Sequence, residues 1–205
     1  MARSWPVRAS HRGGPDSVEI VTQTPQGQDQ SRTFDAVVVA IKPNHIADLI
    51  LDKTSELNAI LTAIPFRRDR VVVHTDAKLL PRSKRSWGAF NLTIPSSLDQ
   101  VLGQTTITFW VNRLSVLDKR LPDIFITLNP PLEPDPVRII QDRIMIHPVA
   151  TFAGMQAIET LKTFQGGQRI WYAGSFLEIP YLHENAFNTG IAAAEGILLR
   201  LGAKP

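Results

Sequence analysis

Apolar and polar residues alternate at three places near the start of the chain, Val7 to His11, Ser17 to Thr24 and Arg32 to Ala40, and each alternation predicts a strand. Gly13-Gly14-Pro15-Asp16 predicts a turn after the first and Pro25 to Gln30 a link after the second, so the three form a β-meander. The third strand ends in Ala36-Val37-Val38-Val39-Ala40-Ile41, an unbroken apolar run suited to burial on both faces, as in a parallel sheet covered by helices. Pro43 to Leu51 follows as a short helix, with Asn44 as its cap and Ile46, Leu49 and Ile50 on one face. Thr54 to Ile64 is a second helix with a capped start. From Arg70 the period shortens to two. Strands are expected at Val71 to His74, Gly88 to Leu92, Thr105 to Asn112, Ile124 to Leu128 and Arg143 to Ile146, forming a mixed, largely antiparallel sheet. Ala153 to Phe164 reads as a helix that Gly166-Gly167 stops. Ile170 to Ala173 is a last short strand, and His183-Glu184-Asn185 opens an Ala-rich terminal helix containing Gly190. The fold class expected is α/β, of the mixed α+β kind.

The terminal segment carries the clearest chemical signal. A strand that runs into Gly174-Ser175, followed by a helix N-terminus, is a way of bringing backbone up to an anionic cofactor: glycine permits close approach, and first-turn amides favour negative charge. At 205 residues and 43% hydrophobic content, the chain can build one substantial core, or one domain and part of another. A net charge of +3 excludes a polyelectrolyte. The basic runs Arg67-Arg68-Asp69-Arg70 and Arg82-Ser83-Lys84-Arg85 are not interleaved with aromatics as a nucleic-acid platform is, and they read as solvated faces. No nucleic-acid partner is expected. The absence of cysteine rules out disulfides, thiolate metal sites and cysteine nucleophiles. No apolar run approaches the ~20 residues of a membrane span. The Arg- and Ser-rich start has some features of a transit peptide, but its alternation reads as structure, and a cytoplasmic location is expected.

Each further candidate has a structural reading beside its chemical one. His74-Thr75-Asp76 puts a His and an Asp on one side of a strand, as a base pair or two metal ligands would be, and no third ligand follows at metal spacing. His147 before Pro148 is either a general base or a satisfied structural histidine. His183-Glu184 is either catalytic or simply places a carboxylate in a helix's first turn, where its charge is favoured anyway. Trp87, Trp110, Trp171 and Tyr172 read as core or wall residues. There is no G-x-S-x-G elbow and no H-E-x-x-H zinc motif.

Several segments, taken in order, resemble the flavin-containing amine oxidoreductase superfamily, in the branch of NAD/FAD-binding oxidoreductases related to phytoene desaturases and protoporphyrinogen oxidases. They are Phe34 to Pro43 (FDAVVVAIKP), Val71 to Asp76 (VVVHTD) with Leu80-Pro81 and Trp87 downstream, Thr108 to Leu114 (TFWVNRL), Ile126 to Pro131 (ITLNPP), His147-Pro148-Val149, and WYAGS with HENAFNTG at the end. The resemblance implies FAD as cofactor and a C-terminal half of such an enzyme. Residues 1–43 and 167–205 would form part of the FAD-binding domain and 44–166 the substrate domain, whose sheet would roof the flavin. It implies cofactor contacts at Ala40, Ala173, Gly174, Ser175, His183, Glu184 and Asn185, with no catalytic residue and no metal ligand assigned. The activity implied is hydride abstraction from a small amine or a lipid-like substrate. The dinucleotide fingerprint G-x-G-x-x-G occurs nowhere in the sequence. The alternative expectation is therefore a non-enzymatic fragment or binding module, and the partners expected beyond a small-molecule substrate are a separate N-terminal half or a second copy.

Overall fold

The computed structural model describes residues 7–10, 16–94, 106–115, 117–118 and 120–202. The expected turn at Gly13 to Pro15 lies outside them. The fold is α/β, with helices, a short parallel sheet and a larger, mostly antiparallel one. The chain divides into two compact units, 1–66 with 148–205, and 67–147.

In the first unit, β1 (Val7–Ser10), β2 (Val18–Gln23) and β3 (Asp29–Phe34) form the meander, antiparallel throughout. The expected third strand is in fact two. β3 stops at Phe34, and β4 (Val37–Val39) leaves the meander to pair in parallel with β10 (Ile170–Tyr172). The break falls at Asp35-Ala36, both poor strand formers, but propensity says nothing about which neighbour a strand takes. Nor is β4 buried on both faces: Val39 is buried, whereas Val38 is 42% exposed.

Helix α1 (Pro43–Leu49) starts with Pro43 at its first position, where a missing N–H costs nothing. Its N-cap position is Lys42, not Asn44, and no side chain caps it. Helix α2 (Ser55–Thr62) is capped by Thr54, whose Oγ1 accepts from the Leu57 N–H at 3.1 Å. Helix α4 (Phe152–Lys162) is capped in the same way by Thr151, accepting from Gly154 at 3.0 Å. Each such cap contributes about 1 kcal/mol. Leu57, Ile60 and Leu61 of α2 and Ala157, Ile158 and Leu161 of α4 follow helical spacing, and they share one core with Val18, Val39, Ile46, Ile50, Ile170 and Tyr172. These helices therefore belong to the compact body of the first unit. Helix α5 (His183–Arg200) closes over β10. A Cβ on Gly196 would lie 2.6 Å from the Trp171 indole nitrogen, and one on Gly166 would lie 2.9 Å from the same ring.

The second unit is a five-stranded sheet in the order β6-β7-β8-β5-β9. Its strands are β5 (Phe66–His74), β6 (Phe90–Thr93), β7 (Thr106–Trp110), β8 (Phe125–Leu128) and β9 (Ile139–Pro148). β7 ends two residues earlier than its alternation suggests, because Val111–Leu114 turns into the one-turn helix α3. The register puts Phe90, Phe109, Ile126 and Val73 in one row across the sheet, and Leu92, Ile107, Leu128 and Val71 in the next row on the same face.

Polar groups share the more covered face of this sheet: Thr106, Thr108, Thr127 and His74 are buried there with Val72 and Phe125, while on the other face Val71 is buried, Ile107, Phe109, Ile126, Leu128 and Val73 are half-buried, and Phe90 and Leu92 are well exposed. The buried polar groups are satisfied in a line. His74 Nε2 bonds Thr127 Oγ1 at 2.8 Å, Thr127 Oγ1 bonds Thr108 Oγ1 at 2.9 Å, and the Asp76 N–H donates to His74 Nδ1 at 3.2 Å. Because Nδ1 accepts, the proton sits on Nε2 and the ring is neutral. Burial pushes the His74 pKa down, against the opposing pull of Asp76.

Two measurements test this packing. Gly196→Ala should destabilise the protein by about 1–3 kcal/mol through overpacking against Trp171, whereas Gly190→Ala, whose added Cβ meets nothing within 4 Å, should stabilise it by about 1 kcal/mol; urea melts of the two variants give the signs. His74 titrates near 6.5 once unfolded and lower when folded, so its contribution is complete above about pH 6.5 and declines as the pH falls toward the folded value. Stability of the wild type should drop across that acid window more steeply than that of His74→Gln, and parallel pH profiles would refute the buried neutral ring.

Candidate functional site

Parallel pairing of β4 with β10 aligns Val37, Val38 and Val39 with Ile170, Trp171 and Tyr172, and the Ala173 N–H adds a bond to the Val39 carbonyl at 3.2 Å. Ala40 and Ala173 thus leave the carboxyl ends of two adjacent parallel strands, which is where open α/β sheets form their binding crevices. Gly174 follows with φ 142° and ψ 158°, a conformation confined to glycine. A Cβ there would also press to 3.0 Å on the Phe176 ring. The Gly174 N–H donates to Thr189 Oγ1 at 3.0 Å, which fixes the turn to the second turn of α5. Ser175 opens a single 3-10 turn, Ser175–Leu177.

From there the chain passes a cis Ile179-Pro180 bond and Tyr181 at φ 66° before α5 begins. Asn185 closes this loop. Its Oδ1 accepts from the Leu182 N–H at 2.8 Å and its Nδ2 donates to Glu178 Oε2 at 3.1 Å. His183 and Glu184 are exposed in the first turn, and the N-cap residue, Leu182, has no side-chain acceptor for its amides. His183 precedes Thr189 by six residues, which at 1.5 Å of rise per residue is roughly 9 Å of helix. The seven expected residues therefore fall into two groups, Ala40, Ala173, Gly174 and Ser175 at the strand ends and His183, Glu184 and Asn185 at the helix start. They are separated on the scale of an extended ligand. Thr189 and Glu178, which hold the two groups in place, carry no sequence signal, because each acts through a partner that only the folded loop supplies.

On the other edge of β10, Gln165 acts as a substitute strand: its Oε1 accepts from the Tyr172 N–H at 2.7 Å and its Nε2 donates to the Tyr172 carbonyl at 2.8 Å. Burial pushes the Tyr172 phenol up to about 12, so it stays protonated. The edge of β4 away from β10 pairs with no strand among the described residues. Beside it lies an apolar hollow of about 360 Å³ lined by Ile20, Phe34, Val38, Ile41 and Leu49.

In the second unit, His74 and Asp76 are both buried but do not form the pair their spacing allows. The Asp76 carboxylate accepts from the Lys78 and Asp135 N–H groups at 3.1 and 2.8 Å, with the Lys78 ammonium at 3.4 Å. Burial alone would raise its pKa, yet these donors hold it below the usual carboxylate value. Among the described residues no three His, Asp or Glu side chains are grouped to hold a metal ion. The titratable pair that the fold does assemble is Asp69 with His147. Asp69 Oδ2 accepts from His147 Nδ1 at 2.9 Å, and Oδ1 takes Asn129 Nδ2 and Arg67 Nε, both at 2.7 Å. Burial works against ionisation of Asp69, and the three donors outweigh it and keep the pKa low. His147 remains partly exposed, and its Nε2 makes no hydrogen bond among the described residues.

The basic runs are not simply solvated. Arg70 forks onto Glu133 at 2.6 Å and Asp142 at 2.7 Å. Lys84 bonds Asp123 at 2.5 Å and sits 5.3 and 5.4 Å from the Trp87 and Trp110 rings.

Neither a protein-family model nor a curated protein matches the chain. Solved structures do. A fatty acid isomerase from P. acnes that produces CLA aligns with 96% of this chain at TM-score 0.56 and 14% identity, and a UDP-galactopyranose mutase solved in its reduced form aligns with 96% at TM-score 0.50 and 9% identity. The chain spans about half of each neighbour, 47% and 46% of their lengths, and at these identities the likeness is one of fold.

Proposed function

We propose that this chain is the C-terminal portion of an FAD-dependent oxidoreductase that takes hydride from a small amine or a lipid-like substrate. The observation that carries the reading is the parallel β4–β10 pair delivering Gly174, in its glycine-only conformation, beside a helix whose N-cap residue, Leu182, has no side-chain acceptor for the first-turn amides. Likeness of fold to a fatty acid isomerase and to a mutase that has a reduced form supports it, since a protein with a reduced form carries a redox group. The amine oxidoreductase-like segments of the sequence support it further.

The residues present fit an extended, anionic dinucleotide at two points. Ala40, Ala173, Gly174 and Ser175 would take its phosphate and sugar portion at the strand ends, where the glycine leaves the backbone open. The amides of His183, Glu184 and Asn185 would face the ring end with the positive pole of α5. When bound, flavin supplies the electron acceptor; the chain supplies orientation and a favourable field for negative charge. We assign 1–43 and 167–205 to cofactor binding and 44–166 to the substrate. The open edge and apolar hollow beside β4 would receive a dinucleotide-binding βαβ unit, extending the parallel sheet.

A second reading, a binding module without redox activity, is favoured by the absence of G-x-G-x-x-G from the sequence. Two experiments separate them. Co-expressed with a dinucleotide-binding βαβ unit, the chain should purify yellow with the absorption bands of flavin, and a colourless complex would sink the first reading. FAD titrated into the chain alone should show at most weak binding, whereas micromolar binding would sink the second.

A further inference from the structure

We propose that Asp69 and His147 form a general-base dyad in the second unit, in which His147 Nε2 takes a proton from an amine or hydroxyl group of the substrate. The two histidines of this sheet differ in the way that separates a structural role from a chemical one. His74 is fully buried, and both of its ring nitrogens are bonded. The His147 side chain is 37% exposed and bonds through one nitrogen only among the described residues, Nδ1 to Asp69. Asp69 stays ionised under its three donors and can only accept, so Nδ1 carries the ring proton and Nε2 presents a lone pair.

The carboxylate is held as firmly as the ring. Asp69 is 1% exposed, and its Oδ1 accepts from Asn129 Nδ2 and Arg67 Nε, both at 2.7 Å, which leaves Oδ2 for His147 at 2.9 Å. Asn129 is fixed in turn. It is buried with φ 48°, its N–H and Oδ1 bond the Arg70 backbone at 2.8 and 3.0 Å, and its carbonyl accepts from Thr106 Oγ1 at 2.7 Å. Left-handed backbone at a buried residue other than glycine is disfavoured, and it persists only where neighbours hold it. Asn129 thus fixes the carboxylate, the carboxylate fixes the imidazole, and the series ends on an accessible nitrogen. That order of contacts is how a carboxylate and a histidine serve as a base. In the proposed step the substrate's N–H or O–H bond breaks with its electron pair left on the heteroatom, and the Nε2–H bond forms, giving an imidazolium beside Asp69. Asp69 and Asn129 are positioning residues. The dyad itself stands on geometry; its place in catalysis rests on the oxidoreductase reading, in which an amine or hydroxyl carbon that loses hydride must also release a proton from its heteroatom.

Asp69→Asn supplies the test. Because Oδ1 takes two donors, an amide in its place keeps its oxygen there and turns its NH2 toward His147 Nδ1, which moves the ring proton to Nε2. In the full chain without flavin, proton–nitrogen NMR should find the proton of neutral His147 on Nδ1 in the wild type and on Nε2 in Asp69→Asn. Diethyl pyrocarbonate, which acylates neutral imidazole nitrogen, should modify His147 about tenfold faster than the exposed His183. Asp69→Asn should remove that difference with circular dichroism unchanged. A wild-type proton on Nε2, or equal acylation of the two histidines, overturns the dyad. Catalysis is read in the complex co-expressed with a βαβ unit, with benzylamine and benzyl alcohol as probes. His147→Gln should lower kcat by about a hundredfold at unchanged KM and flavin absorption. Undiminished turnover in that variant, or a yellow wild-type complex that oxidises neither probe, overturns the assignment of His147 as the base. A colourless wild-type complex rejects the oxidoreductase reading instead, and the NMR and acylation results then decide the dyad by themselves.

Discussion

Parallel strands cannot be joined by a tight turn, and the pairing of β4 with β10 is the constraint from which the rest of this architecture follows. The crossover from Val39 to Ile170 carries α1, α2, the whole second unit and α4 before the chain returns. That return puts Trp171 where Gly166 and Gly196 leave room for its ring, and it carries Ala173 and Gly174 to the end of β4. The candidate cofactor site is a consequence of that one pairing. Two strand ends, a glycine that no other residue can replace in its conformation, and a helix fixed through Thr189 meet only because residues far apart in sequence become neighbours.

In the second unit the corresponding constraint is a line of hydrogen bonds. Burying a histidine and three threonines would cost several kcal/mol if they were left unpaired. The register that sets Thr108 against Thr127, and His74 against Phe125, satisfies them on the covered side. Once that side is covered, the apolar residues between them must face outward. Hydrogen-bonded polar groups thus share the covered face with Val72 and Phe125, and the well-exposed apolar residues of the other face are confined to Phe90 and Leu92 on β6.

Much of the element list was legible. Alternation located the first two strands of the meander and three of the five strands of the larger sheet closely, while β5 and β9 begin several residues before their expected starts; the capped Thr54 entry located the start of α2, because these signals depend on nearest neighbours along the chain. Asn44 misled because Pro43 is itself the better helix starter. The run from Arg32 to Ala40 misled because the strand-poor pair Asp35-Ala36 marks a break in the strand without saying that the chain changes partner there. His74 and Asp76 misled in a different way: their spacing did put both in the interior, but each found backbone and hydroxyl partners in place of the other.

By itself the sequence determined the alternation of strands and helices, the glycine-led ending after Ile170, and the absence of cysteine chemistry, all of which depend on local backbone preference and composition. Tertiary structure alone decided that Asp69 and His147 become a pair, that Gln165 covers the edge of β10, and which face of the larger sheet is open. The physical reason is the same in each case. A period-two pattern distinguishes two faces without saying which is covered, and a hydrogen-bonding side chain advertises its capacity without naming its partner.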